Sequence, residues 1–197
     1  MASGDDGAAQ HTCGGMEGFS YREEFISSDE ERDLLEQIAL QPLTESRYRE
    51  WAAKRRTVNF GGQYDFAHRQ LHCAAPIPDF LHPLRARLAR WVDAAAESFT
   101  QAGIAEYRPG TQLGWHRDVP DFELIAGVSL QGTARMRFRP HPPPVGRTRD
   151  SYHIDLRPRS AYIIRDTARW KWQHAISPTK ELRYSITFRT PRPRPGN

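Results

Sequence analysis

Lysine is nearly missing from this chain of 197 residues: of 28 basic residues only Lys54, Lys171 and Lys180 are lysine, and the other 25 are arginine. Cysteine is scarcer still, with Cys13 and Cys73 alone, too few for a disulfide framework or a thiolate zinc site, so a reducing cytoplasm is the expected location. No apolar run approaches the roughly 20 residues that a membrane-spanning helix requires, which points away from a membrane. Residues 1–18 hold no basic stretch followed by an apolar core, as a secretion signal would, and are expected to form a disordered lead-in. The length suits one domain, expected as a monomer, and leaves no room for a second catalytic unit.

Arginine suits phosphate and carboxylate because its planar fork donates two parallel hydrogen bonds, and the net charge is +4 with a pI near 9.3. The base composition of a genome produces the same arginine bias, so charge alone argues only weakly for a polyanionic partner.

Ser28-Asp29-Glu30-Glu31 fits a capping box, and Leu34, Leu35 and Ile38 then make one apolar helical face that stops before Pro42. Leu81, Leu84, Leu88, Trp91 and Ala95 recur at helical spacing from about Pro83. From Ile104 onward the period becomes two. Met136 and Phe138 alternate with Arg135, Arg137 and Arg139; Tyr152, Ile154 and Leu156 with His153, Asp155 and Arg157; Tyr184, Ile186 and Phe188 with polar neighbours. Helices first and many short strands afterwards suggest a mainly β sandwich or jelly roll with flanking helices. His141-Pro142-Pro143-Pro144 opens a stiff loop, and the Pro/Arg end, residues 191–197, is expected to be a loose basic tail outside a domain of residues 19–190.

His116 and Asp118 stand two apart in Trp115-His116-Arg117-Asp118, and residues two apart on a strand share a face. A third ligand has to come from another strand, and His174 lies on the extended run from Trp170 to Ile176. Two imidazoles and a carboxylate on one side of an ion are the set that holds ferrous iron with positions left open. Taken alone, such a His and Asp fit a surface pair equally well, and zinc competes for the same three ligands. The strand Arg183-Tyr184-Ser185-Ile186-Thr187-Phe188-Arg189 argues for iron. Arg183 and Arg189 share a face with Ser185 and Thr187, and their backbones stand roughly 20 Å apart at about 3.3 Å per residue. Two arginine side chains leaning inward leave a gap close to the length of a five-carbon diacid.

In this order, Tyr107, Pro109-Gly110, His116-x-Asp118, His174 and the Arg183 to Arg189 strand resemble the AlkB family of alkylated-nucleic-acid dioxygenases, in its bacterial form. The resemblance spans about residues 60 to 189. It implies a double-stranded β-helix, or jelly roll, that uses Fe(II), 2-oxoglutarate and O2. It implies iron ligation by His116, Asp118 and His174, contacts from Tyr107 and Arg183 to the far carboxylate of 2-oxoglutarate, and a near-end contact from Arg189. Ser185 stands among the cosubstrate contacts where the family usually has Asn, and Ala105 stands where it often has another. The acidic group associated with base reading is absent or displaced to Asp121.

The implied reaction is oxidative dealkylation of N-methyl adenine or cytosine lesions in DNA, releasing formaldehyde, succinate and CO2. The segment from Arg55 to Phe66 mixes cations, aromatics and a Gly pair as a lid over an extruded base needs. On the resemblance, Phe60 and Tyr64 are stacking candidates, with Arg55 and Arg56 for flanking phosphates. An ordinary hairpin with its aromatics in the core explains the same segment. Trp115, Trp170 and Trp172 either wall the pocket or pack in the core, and Arg135, Arg137 and Arg139 either track a backbone or face solvent. Three alternatives stand beside DNA: the same chemistry on RNA or tRNA, on a methylated protein, or on a small molecule. A jelly roll that binds nucleic acid without turnover is a further one.

Overall fold

The structure, a computed structural model, describes residues 16–48, 51–65, 68, 70–143 and 152–193. In chain order its elements are β1 (Phe19–Arg22), α1 (Ser28–Ala39), β2 (Thr44–Tyr48), β3 (Trp51–Phe60), β4 (Gly62–Asp65) and β5 (Gln70–Cys73). There follow α2 (His82–Trp91), β6 (Gln101–Tyr107), β7 (Leu113–His116), β8 (Phe122–Leu130) and β9 (Ala134–Pro140). The chain ends with β10 (Tyr152–Leu156), β11 (Ala161–Ile164), α3 (Asp166–Trp170), β12 (Trp172–Ile176) and β13 (Arg183–Pro191). No helix among the described residues is long and apolar enough to cross a membrane.

The strands pair antiparallel into a seven-stranded sheet, β1-β11-β8-β13-β6-β3-β2, and a four-stranded sheet, β10-β9-β12-β7, with β4 and β5 as a separate ribbon. This is a jelly roll. Alternation along each strand of the large sheet sorts its side chains into two cores. Ile104, Ile186, Phe188, Ala126 and Val128 face α1 and α2 together with Leu34, Ile38, Leu84 and Leu88. Tyr107, Ile125, Tyr162 and Ile164 face the small sheet and meet Met136, Phe138 and Ile176. The side chains expected to bind metal and cosubstrate lie in this second layer, between the sheets.

At the start of α1 the cap is shifted by one residue from the expected box. Ser27 accepts from the Glu30 amide at 3.2 Å, and Glu30 accepts from the Ser27 amide at 2.8 Å. Both Ser27 and Ser28 have a glutamate three residues on, so the local pattern fits either. Tertiary contacts separate them, because Glu31 instead accepts from the Gln131 amide at 2.8 Å and pairs with Arg159.

Further departures concern the ends and one strand. Met16 is buried in the inter-sheet core, Glu17 accepts from the Ala168 amide at 2.9 Å, and Gly18 accepts from the Arg165 amide at 2.9 Å. The last three residues of the expected lead-in are therefore docked; residues 1–15 lie outside the described residues. The tail begins docked as well, since Pro191 closes β13 opposite Phe122 and the Arg192 amide donates to the Asp121 carbonyl at 2.7 Å. Residues 194–197, and 144–151 of the loop after β9, lie outside the described residues. Trp170 is helical rather than extended: α3 makes one turn before β12 starts at Trp172.

We expect Ser27→Ala to cost about 1 kcal/mol of stability, as for other N-caps, and Ser28→Ala to stay within about 0.5 kcal/mol. Urea unfolding followed by circular dichroism distinguishes the two.

Candidate metal centre and cosubstrate trough

β7 ends at His116, and Asp118 sits just beyond it on the segment leading to β8, not on the strand itself. The pairing of β7 with β12 puts His116 directly opposite His174. Their ring centroids are 4.2 Å apart, and His174 Nε2 is 3.6 Å from Asp118 Oδ2. Potential ligand atoms of His116, Asp118 and His174 all lie within 4.8 Å of one another. His116 Nδ1 is 2.9 Å from the Gly114 carbonyl. A carbonyl can only accept, so Nδ1 carries the proton and Nε2 presents its lone pair. Three donors converging from one side suit a divalent ion with open positions.

Electrostatics prepare these groups to bind a cation. Burial raises the Asp118 carboxyl, but Arg189, His174, His116 and Arg169 outweigh it and hold it well below the usual range. Arg189 Nε lies 3.1 Å from Asp118 Oδ1, and its Nη1 donates to Gln101 Oε1 at 2.7 Å. Burial and the neighbouring His116 push His174 down to about 3, and burial lowers His116 as well, so both imidazoles are neutral near neutral pH. Arg169, not anticipated from the sequence, is 2% exposed, and its Nη2 donates to the Asp118, Val119 and Phe122 carbonyls at 3.1, 2.7 and 2.9 Å. It ties the segment carrying Asp118 to the helix preceding His174.

Across the inner face of the large sheet, strand register builds a trough between two cationic rows. Tyr107 pairs with Arg183, and because Arg56 pairs with Glu106, Arg55 stands beside Tyr107 on the other flank. Next come Thr57, Ala105, Ser185 and Ser129, then Asn59, Gly103, Thr187 and Gly127, all small. Gln101, Arg189 and Ile125 close the trough. A Cβ on Gly103 would stand 2.9 Å from Asn59 Oδ1 and 3.4 Å from Arg189 Nη1, and one on Gly127 would strike the Tyr162 ring, so glycine keeps this floor open.

Arg183 is 1% exposed; its Nε donates to Ser129 Oγ at 2.9 Å, and its guanidinium carbon lies 4.9 Å from the Tyr107 ring centroid. Arg55 Nη1 donates to the Tyr107 hydroxyl at 3.2 Å while its Nε is buried without a hydrogen-bond partner. Among the described residues neither cation has a carboxylate within ion-pair distance. A buried cation is costly without an anion, so this end of the trough suits the free carboxylate of a diacid. Burial raises the Tyr107 phenol, yet Arg55 and Arg183 together bring it below its ordinary value.

The model for the 2OG-Fe(II) oxygenase superfamily matches residues 18–189. The chain belongs to that superfamily. It is an Fe(II)- and 2-oxoglutarate-dependent dioxygenase, and the His-Asp-His cluster and the diacid trough fit both groups. This oxygenase is 29% identical over 190 residues to the uncharacterized protein L905 of Acanthamoeba polyphaga mimivirus, covering 88% of this chain and 85% of that protein. Its fold is similar to the structure of OsALKBH1, with TM-score 0.69, 14% identity, and 88% and 96% of the two chains covered. It is also similar to a Pseudomonas putida prolyl-4-hydroxylase, with TM-score 0.61, 14% identity, and coverage of 90% and 94%.

Several substrate candidates of this oxygenase stand elsewhere than expected. Phe60 is 6% exposed and packs in the helix-facing core, and Arg56 lies 3.3 Å from the buried Glu106 on that same face. The strand's alternation turns both away from the trough, while Arg55 enters it at the cosubstrate end. Trp115 faces the outside of the small sheet, under Arg137 and Arg139. Trp170 donates to Glu123 at 2.9 Å, and Trp172 packs beside Tyr152 with centroids 5.5 Å apart. Tyr64 is half-buried on the β4–β5 ribbon, and Asp121 lies in the turn before β8. Phe66 lies outside the described residues.

The ion-free protein should lose stability on acidification. His174 has a folded value of about 3 against an ordinary 6.5, so between these the unfolded chain takes up a proton that the folded one refuses. As pH falls from about 7 to about 5, unfolding in the presence of a chelator should become easier by up to about 1.4 kcal/mol per unit per histidine, and His174→Gln should flatten the slope. Urea titrations across that range test this.

Proposed function

We propose that this oxygenase removes alkyl groups from nucleobases, with N-methyl adenine or cytosine in DNA as its substrate and RNA as the nearest alternative. The observation that carries the reading is the ordered set Tyr107, His116-x-Asp118, His174 and Arg183 to Arg189, which resembles the AlkB family; the likeness to OsALKBH1 agrees with it. The prolyl-4-hydroxylase likeness makes a protein side chain the rival substrate.

In this reading His116, Asp118 and His174 hold Fe(II). The bound iron and 2-oxoglutarate supply the oxidising chemistry, in which O2 converts the cosubstrate to succinate and CO2 and a C–H bond of the alkyl group is hydroxylated. The chain supplies binding and orientation. Arg183 and Tyr107 grip the far carboxylate, Arg55 adds a second cation there, and Ser185 and Ser129 line the floor. Arg189 orients Asp118 and approaches the near end of the diacid. The neutral imidazoles bind the ion without first releasing protons. Tyr64, on the ribbon following β3, stacks on the extruded base, and Asp121 reads its edge. Hydroxylation at an N-methyl carbon leaves a hydroxymethyl amine, which releases formaldehyde and the restored base.

Two measurements test this. Offered a methylated oligodeoxynucleotide, a methylated oligoribonucleotide and a proline-rich peptide, the enzyme should release formaldehyde from the first two, most from DNA; hydroxyproline alone would sink the reading. In calorimetry with Mn(II) in place of iron, Arg183→Ala and Arg55→Ala should each weaken 2-oxoglutarate by about 10- to 100-fold, the range for a charge-assisted hydrogen bond. Both should spare metal affinity and leave 2-oxovalerate, which lacks the far carboxylate, unchanged.

A further inference from the structure

The back of the four-stranded sheet carries a feature that cosubstrate chemistry does not use. β9 buries Ala134, Met136 and Phe138 and turns Arg135, Arg137 and Arg139 outward. Arg135 is neutralised, its Nε and Nη2 donating to the two Asp155 carboxylate oxygens at 2.8 and 3.1 Å. Arg137 and Arg139 have no carboxylate within ion-pair distance among the described residues. Their guanidinium carbons lie instead 5.0 and 4.5 Å from the centroid of the Trp115 ring. β12 runs between β9 and β7, and at Ala175, in register with Arg137, it offers only a methyl group, which lets the arginines reach across to the indole.

Stacking occupies the faces of a guanidinium and leaves its in-plane N–H groups for other acceptors. Arg139 gives one of these, Nε, to Gln173 Oε1 at 2.8 Å. The aromatic packing also holds two flexible side chains in place before anything binds, which lowers the entropy cost of clamping an anion. Exposed Arg117, the residue after His116, adds a third cation nearby, reaching the Trp170 carbonyl at 2.9 Å.

We propose that Trp115, Arg137 and Arg139 form a phosphate platform for the nucleic-acid backbone flanking the target base. This rests on the nucleobase reading above. Its position favours that occupant. Trp115 directly precedes His116, and Arg139 is in register with Gln173, which directly precedes His174, so the platform and the two histidines of the metal cluster lie on opposite faces of the same sheet. β7 is an edge strand. A single strand with its base on the inner side can pass over that edge and lay its neighbouring phosphates on the outer side. Cations that preorganise phosphates contribute affinity without reading sequence.

The test uses the full chain and a fluorescein-labelled single-stranded oligothymidylate, with anisotropy followed across a salt series. Arg137→Gln with Arg139→Gln should weaken binding and reduce the slope of log affinity against log salt by about 1.4, at about 0.7 for each single-strand phosphate no longer neutralised. Arg135→Gln, whose charge Asp155 already cancels, should leave the slope unchanged. Thermal melting and 2-oxoglutarate affinity of the double variant should match those of the unaltered protein, which keeps a folding defect apart from a weakened grip on phosphate. A double variant with an unaltered slope, or an equal loss in Arg135→Gln, overturns the platform while leaving the nucleobase reading intact. Absence of oligonucleotide binding by the unaltered protein, or tighter binding of polyglutamate than of the oligonucleotide, overturns both.

Discussion

A carboxylate buried between two sheets stays ionised only where cations surround it, and the whole centre is arranged around that requirement at Asp118. Arg189 meets one of its oxygens, His174 stands near the other, and Arg169 holds the backbone on which it rides. Each partner comes from a different element: β13, β12 and α3. The jelly roll is the device that brings them together, because antiparallel register aligns His116 with His174 across one pair of strands and Arg189 with Gln101 across another. Loss of Arg189 would leave the Asp118 carboxylate without its guanidinium partner in a medium of low polarity, so stability and metal readiness depend on the same groups.

The cosubstrate trough follows from the alternation of β13. Its even positions, Tyr184, Ile186 and Phe188, are apolar or nearly so and seal the sheet against α1 and α2. Its odd positions are left to chemistry, with an arginine at each end and Ser185 and Thr187 between. Neighbouring strands repeat the scheme, placing Ala105, Gly103, Ser129 and Gly127 in the middle rows. Space is thus created by small residues rather than by a gap in packing. In the proposed reading the arginines at the two ends match the length of a short diacid.

Much of this is legible in the chain itself, for a physical reason. Arg183 and Arg189 are paired by an even spacing that a strand converts into a shared face, and one intervening residue keeps Asp118 close to His116 although it lies beyond the end of β7. His174 is harder, since nothing local ties it to the other two, and the resemblance to a known motif order supplies the link. Arg55, Arg56 and Phe60 depart from expectation because their cations and aromatics look like one surface in the sequence, whereas a strand divides them between two faces. Arg169 and Ser129 have no signal in the sequence. Their roles arise from what lies opposite them, three carbonyls in one case and a guanidinium in the other. The capping residue of α1 is ambiguous between Ser27 and Ser28 until Gln131 and Arg159 engage Glu31.

By itself the sequence determined the residue types of the chemistry, the two periods that divide helices from strands, and the face on which each pair of residues falls, because periodicity is a local property of the backbone. Only the tertiary structure decided which faces look at one another: that Arg55 joins Tyr107, that Trp115 turns outward beneath two arginines, and that a buried guanidinium finds no carboxylate among the described residues. Those outcomes depend on strand order and register between segments far apart in the chain, set by the packing of the two cores together and not by any neighbouring stretch of residues.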